Sequence, residues 1–536
     1  MPSARLHLVL PLVVLLSSCA RPRPRDESSV LHAKKEPVAA TKAPSASQAG
    51  TVKKGAYLPL FDDLVAKVKR YHVFAAGQAA VFEQALPSLR KAAAEASTEA
   101  EGLVALARLE RALGDRHCNL SPPGDVRPAR LGLGLELHTE REASGKVRVR
   151  VETIEDPALE PKVAIGDELL QVDGTPVETW LAARPFESNA LNPVARLSET
   201  AHAIVMQIVP WTTTKEGDSR RLTFRTAGEL DLRFQRPFRY ERKDSLPDID
   251  DNPTMADIPC KGEASSPYSG YELASLGVNY CIYRPNAGNR AARGTKIVRF
   301  VSFLYDAEPA SQLRWVRVDH DGLVRDLAGA ERVVLDLHEN HGGNNPFVFL
   351  SWFAKKPWRH ESVTVRVFPE FGEEEVRKFL WGNDELTKRY LDAGKRGEPS
   401  FSYPFLCSGE GCDGLRGPRP SERVTEAPVG VVTGPECTSS CDAFSVIWSE
   451  AGMGPIVGKQ PMHGFTTVRH ELPMRGPDGR ALGQFRIALS FEGFPGKPPL
   501  EGAPIRLDWQ APETFATRTS WLDASVTEVG ARLTVK

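Results

Sequence analysis

Apolar positions along this chain fall into three successive patterns. From Leu58 to Leu113 they recur with helical spacing: Leu60, Leu64 and Val68 at four-residue intervals, then Leu103, Leu106, Leu109 and Leu113 as a later stripe. Ala-rich stretches such as Arg90 to Ala96 favour helix as well. Residues 55–125 are therefore expected to form a helical domain that ends at Leu113-Gly114-Asp115-Arg116-His117-Cys118, where glycine breaks the pattern. The period then changes to two. Arg130 to Leu137 (RLGLGLEL) and Val147 to Val151 (VRVRV) alternate, and Ala164 to Val177 reads as a strand, a tight Asp173-Gly174 turn and a second strand. This places a β domain at 126–185. A β-rich insertion follows, with a hairpin over Arg220 to Phe234 and a loop-like, acidic stretch from Asp244 to Pro267. From Thr295 onward, continuous apolar runs alternate with helical ones: Ile297 to Phe303, a helix around Leu313 to Leu327, Val333 to Leu337, and Val429 to Val432. That is the mark of a buried parallel sheet, whose reactive groups lie at strand ends. The fold class expected is α/β and multidomain, with residues 186–536 as the catalytic core.

The N-terminus departs from all three patterns. Leu8 to Leu16 is wholly apolar but about half the length of a membrane span, and it follows Arg5 and His7, as an export signal would. It ends in Leu16-Ser17-Ser18-Cys19, which resembles the lipobox of bacterial lipoproteins. The resemblance implies that residues 1–18 are a removed signal peptide and that Cys19 is lipidated, anchoring the chain firmly through paired acyl chains. The absence of Asp after Cys19 implies the outer membrane, facing the periplasm. Residues 19–54, rich in Pro, Ala, Ser and Lys, cannot bury enough surface to order themselves and are expected to be a disordered tether. At 536 residues the chain is too long for one core, and its 68 basic against 69 acidic side chains leave no surplus for nucleic acid.

Two segments carry the candidate chemistry. In Val334-Leu335-Asp336-Leu337-His338-Glu339-Asn340-His341-Gly342-Gly343-Asn344 a buried strand runs into two glycines, which let backbone N–H groups approach a ligand closely. In Gly434 to Phe444 (GPECTSSCDAF) a strand end turns into a helix, with serines at its N-terminus. Together with Asp115-Arg116-His117, these motifs resemble the C-terminal-processing or tail-specific serine peptidases, in the branch similar to the tricorn core. The resemblance implies a helical domain, a PDZ-like β domain and a crotonase-like α/β catalytic core. It also implies Ser439 as nucleophile, with Ser440 the competing assignment, and Gly342, Gly343 and the N–H of Ser440 as oxyanion donors. The dyad lysine of the other branch is absent, and Lys459 lies only 20 positions after Ser439. The resemblance to the tricorn-like branch implies His117, in Asp115-Arg116-His117, as the base, and Glu501, 62 positions after Ser439, as the acid that orients or stabilises it. The run Leu131-Gly132-Leu133-Gly134 resembles the carboxylate-binding loop of PDZ domains, which hold peptide C-termini by strand addition.

The function these features imply is membrane-anchored, periplasmic serine endopeptidase activity on protein or peptide substrates, with no cofactor. The alternative is a catalytically inactive lipoprotein of the same fold that binds peptides or other ligands. His338 and His341 lack the helical i, i+4 spacing of zinc proteases and no third ligand is identified for them, so no metal is expected. In an oxidising compartment the cysteines other than Cys19 should mostly pair. Cys407 with Cys412, Cys437 with Cys441 and Cys260 with Cys281 are the pairs considered, leaving Cys118 free.

Overall fold

The computed structural model describes residues 51–534 apart from 75–76, 123–128, 143, 191, 237–265, 301, 304–308, 344–345, 381, 405–414, 417–421 and 466–467. The expected signal peptide, nearly all of the tether, and Cys19, Cys260, Cys407 and Cys412 lie outside the described residues.

Three helices open the folded chain: α1 (Leu58–Tyr71), α2 (Gln78–Glu95) and α3 (Glu99–Arg111). A capping box starts α3, the Thr98 side chain accepting from the Glu101 N–H while the Glu101 carboxylate accepts from the Thr98 N–H. The predicted stripe faces inward, with Leu64, Val68, Leu103, Leu106, Leu109 and Leu113 all buried. These helices do not close a core by themselves. Their apolar faces meet Leu472, Met474, Leu482, Phe485 and Ile487, carried by a distant hairpin of strands Arg469–Arg475 and Ala481–Ala488. The short strand Asn119–Ser121 pairs antiparallel with the same hairpin, Asn119 opposite Arg486. The helical unit is thus joined to residues more than three hundred positions away, and His117 lies just ahead of that junction.

The middle unit is built from strands Ala129–Gly132, Leu135–Arg141, Val147–Ile154 and Leu169–Val172, helices Val177–Ala182 and Pro193–Val205, and strands Met206–Val209, Ser219–Phe224 and Gly228–Arg233. The Asp173-Gly174 hairpin forms as expected, Val172 pairing with Thr175, but Val177 begins a helix instead of extending a strand. One core holds Leu135, Val151, Leu169, Ile204, Leu222, Phe224 and Phe234 together. The boundary expected at residue 185 is therefore too early. Residues 193–234, assigned from sequence to the catalytic core, bury their apolar side chains with the middle unit.

The second correction concerns the loop Leu131, Gly132, Leu133 and Gly134. The Gly132 N–H donates to the Gln235 carbonyl at 2.7 Å and the Leu133 N–H to the Val205 carbonyl at 2.9 Å. Leu131 and Leu133 are buried, and the Gly134 carbonyl accepts from Glu155 and Asp156. The N–H groups of Gly132 and Leu133 are therefore not available to a peptide carboxylate.

The largest sheet has seven strands, which lie side by side in chain order: β1 (Tyr271–Leu276), β2 (Tyr280–Pro285), β3 (Thr295–Phe300), β4 (Arg332–Asp336), β5 (Val429–Thr433), β6 (Ile456–Gly458) and β7 (Trp509–Gln510). The first three are antiparallel and β3 to β7 are parallel. Alternate residues of each strand serve two different cores. Val333, Leu335, Val431 and Ile456 face Phe349, Leu350 and Phe444, whereas Val334, Val432 and Val457 face Leu522, Val526 and Val529 of the C-terminal helix Trp521–Thr534. Burial on both faces explains why β4 and β5 read as unbroken apolar runs. Among the described residues no helix is long and apolar enough to cross a membrane.

Candidate active site

Three loops leave the carboxyl ends of the adjacent parallel strands β4, β5 and β6, the position at which α/β sheets present reactive groups. The loop after β4 is tied down by buried polar groups. Asp336, fully buried, accepts from the Tyr268 hydroxyl and lies 2.8 Å from Nδ1 of His338. Burial opposes a charge on His338, but the Asp336 carboxylate, helped by Glu339, overrides it and lifts the imidazole to about 10. His338 is thus an ion-paired imidazolium, while His341 is exposed and 3.8 Å from Glu436. Asn340 is fully buried and bridges three segments: Nδ2 donates to the Phe300 carbonyl, Oδ1 accepts from the Gly342 N–H at 2.9 Å, and its carbonyl accepts from the Thr438 N–H.

That arrangement separates the two glycines. The Gly342 N–H is engaged by Asn340, so of the pair read from the sequence as donors, Gly343 is the one left to serve. Gly342 matters for its missing side chain. It sits at φ 85°, and a Cβ there would stand 3.0 Å from the Ser439 Cβ and 3.0 Å from the Ser440 nitrogen. Space in front of the Ser440 N–H therefore exists only because residue 342 is glycine.

Strand β5 passes into helix α4 (Ser440–Ala451) through Ser439, which adopts φ 58° and ψ −119°. A non-glycine residue in this region costs on the order of 1–3 kcal/mol and persists only where its surroundings impose it. Here the Cys437–Cys441 disulfide, the pair expected from sequence, spans the turn, and the Cys437 N–H donates to the Gly434 carbonyl. The result is a sharp strand-to-helix turn of the kind that presents a serine at the top of a sheet. Ser440 behaves differently: it is buried, and its hydroxyl donates to the Gly343 carbonyl.

Asp442, one turn into α4 and fully buried, accepts from the N–H groups of His463 (2.9 Å) and Gly464 (3.2 Å) in the loop after β6. Burial pushes its carboxyl up to about 8, against the opposing pull of those N–H groups and of Arg116. The next N–H, of Phe465, donates at 2.6 Å to Glu501. Glu501 is itself buried and held well above the usual carboxylate range, first by burial and then by the charges of Asp115, Asp442 and Glu492. The Gly502 N–H closes the assembly on the His463 carbonyl.

His117 reaches this loop from the helical unit. Its backbone N–H donates to Asp115 Oδ1 at 2.8 Å, an Asx turn that fixes the residue just past α3. Its ring lies against Gly464, whose absent Cβ would fall 3.3 Å from Cε1 and 3.5 Å from Nδ1. Burial depresses the imidazole to about 4, opposed by the Asp115 charge and reinforced by Arg469 and Arg116, so the ring is neutral at pH 7. Nδ1 is buried without a hydrogen-bond partner, and among the described residues no hydrogen bond joins the ring to Ser439 or Glu501. The turn is clamped from the middle unit by Asn189, whose Nδ2 donates to Glu110 and to the carbonyls of Asp115 and Cys118, and by an Arg116–Glu199 ion pair at 2.7 Å.

Residues 463–465 thus connect the three predicted positions. They bond to Asp442 on the Ser439 helix, bond to Glu501, and support His117. Four contributors had no assigned role from sequence: Asn340, Asp442, Asn189 and Gly464. Asp442 and Asn340 stood inside the quoted motifs, whereas Asn189 and Gly464 gave no signal, since their roles exist only once distant segments meet.

No protein-family model and no curated protein matches the chain. Among solved structures, mature CPAF aligns over 89% of this chain and 96% of its own with a TM-score of 0.62 at 14% identity. Mature CPAF complexed with lactacystin aligns over 89% and 99% with a TM-score of 0.61 at 14% identity. The photosystem II D1 C-terminal processing protease covers 89% of this chain and 98% of its own at 14% identity, with a TM-score of only 0.36. The chain therefore shares the fold of mature CPAF across nearly its whole described length.

Proposed function

We propose that this chain is a serine peptidase of the C-terminal-processing type, hydrolysing peptide bonds of protein or peptide substrates. The observation that carries the proposal is the Ser439 turn: a strained serine at the end of a parallel strand, beside an N–H kept accessible by Gly342. In this reading the Ser439 hydroxyl attacks the scissile carbonyl carbon and His117, neutral at working pH, takes its proton. The tetrahedral oxyanion lies against the N–H groups of Ser440 and Gly343, where donors fixed in advance are worth more than water. His117 returns the proton to the departing amine, and water then releases the acyl group by the same steps in reverse. In this reading the Asp115 charge favours the imidazolium, and Glu501 holds the loop on which the ring rests. Degradation of an unstructured casein-type substrate by the wild type, abolished in folded Ser439→Ala, is the expected result. Undiminished degradation by Ser439→Ala would remove the proposal.

Envelope anchoring belongs to the same proposal and is supported by the Leu16-Ser17-Ser18-Cys19 sequence. Cys19 would carry the acyl chains and hold the catalytic unit on the periplasmic side of the outer membrane. Incorporation of a palmitate analogue into wild type but not Cys19→Ser is expected; an unlabelled wild type would contradict the anchor.

A further inference from the structure

Directly behind His117 lies a second cluster that the proposed reaction does not use. His72 closes the C-terminus of α1, and Asp115 and Cys118 flank His117 in the turn after α3. All three are buried, with 1%, 1% and 0% of their surface exposed. Nδ1 of His72 is 3.9 Å from Sγ of Cys118, and one ligand atom from each of the three residues lies within 4.8 Å of the others. Nε2 of His72 is buried without a hydrogen-bond partner.

We propose that His72, Asp115 and Cys118 form a binding site for a zinc-class divalent cation, held directly behind His117. Zinc–ligand bonds of about 2.0–2.3 Å in a tetrahedron set neighbouring ligand atoms about 3.3–3.6 Å apart, so the His72–Cys118 pair needs to close by a few tenths of an ångström and the widest pair by up to about 1.5 Å. The ligand set suits the metal: one imidazole, one thiolate and one carboxylate, with solvent completing the tetrahedron. Charge suits it too. A dication with one thiolate and one carboxylate is neutral overall, and a low-dielectric interior tolerates nothing else at low cost. On binding, the Cys118 S–H loses its proton to solvent and an S–Zn bond replaces it; no electrons are exchanged. Calcium and magnesium are excluded by the single oxygen donor among the three.

The cation would act on the reaction through Asp115. That carboxylate accepts from the His117 backbone N–H at 2.8 Å and so fixes the turn on which the ring is carried. Coordination draws that carboxylate toward the cation and away from the His117 N–H, so the turn that carries the base shifts. Zinc at this position is therefore an inhibitor, a consequence that rests on the peptidase reading, whereas the site itself does not.

The test uses the full chain carrying Ser439→Ala, so that its outcome is independent of catalysis. Cobalt(II) added to the folded, disulfide-intact protein is expected to produce a thiolate-to-cobalt absorption band saturating at one equivalent, and zinc is expected to displace it stoichiometrically. Cys118→Ser removes the band and His72→Ala weakens binding at least tenfold, with circular dichroism unchanged. A wild-type cluster that gives no band and takes up no zinc in competition with a chromophoric chelator would overturn the proposal. So would a band that survives both substitutions. In the Ser439-containing enzyme, micromolar zinc lowering kcat in the wild type but not in folded Cys118→Ser would establish the inhibitory coupling, and equal inhibition of both would refute it.

Discussion

Individual residues decide whether this site can work, and Gly342 is the most sharply constrained of them. A methyl group at 342 would be 3.0 Å from the Ser440 nitrogen and 2.7 Å from the Thr438 carbonyl oxygen, where it must displace backbone. Gly342→Ala is therefore expected to lower kcat by about 10²–10³, the usual effect of losing an oxyanion donor, while the protein stays folded. Near-normal kcat in that variant would show that the Ser440 N–H is not used. The pH dependence of His117 is set by burial. Its folded value of about 4 lies below the ordinary 6.5, so burial of the neutral ring contributes stability above 6.5 that is lost as pH falls through about 4. The acid limb of kcat/KM is accordingly expected near pH 4, not near 6.5. Sequence resemblance favours Ser439 and leaves Ser440 as a competitor; the φ of Ser439 and the hydrogen bond of the Ser440 hydroxyl to Gly343 are the structural differences between them, and both depend on the helix start.

At the scale of elements, the periodic segments were legible and the irregular ones were not. Helical spacing located α1 and α3, and unbroken apolar runs located β3, β4 and β5, because a stripe or a doubly buried strand leaves its mark on consecutive residues. The Gly132–Gln235 and Leu133–Val205 hydrogen bonds join segments some 70 to 100 positions apart, and a local pattern such as G-L-G-L does not record such a partner. The same holds for the turn carrying His117. Its position depends on Asn189, which reaches across from the middle unit to Glu110, Asp115 and Cys118. Asn189→Ala leaves those groups unsatisfied, at a cost of about 1–3 kcal/mol. Lower kcat with little change in KM is expected, since the variant disturbs the base and not the substrate contacts. A change confined to KM would show that Asn189 does not position His117.

For the whole molecule, the three units are expected to be interdependent. The helices bury Leu64, Leu106 and Leu109 against Leu472, Met474 and Phe485, so neither partner has a complete core without the other. A fragment spanning residues 51–122 is expected to show little cooperative unfolding by circular dichroism; a sharp transition would mean the helices are self-sufficient. In the full chain, Phe485→Ala should cost about 3–5 kcal/mol and reduce activity as well, because the same hairpin carries the strand that follows His117. Domain order was readable from changes in period, but the boundary at 185 was misplaced because strands on either side of it share one core.

The Ser439 turn is expected to create an activated nucleophile. Labelling of the folded protein with an active-site-directed fluorophosphonate, with the modified peptide identified by mass spectrometry, tests it most directly. A single adduct on Ser439 is expected, absent from Ser439→Ala and strongly reduced in His117→Ala. A folded wild type that takes up no label, or an adduct on Ser440, would contradict it.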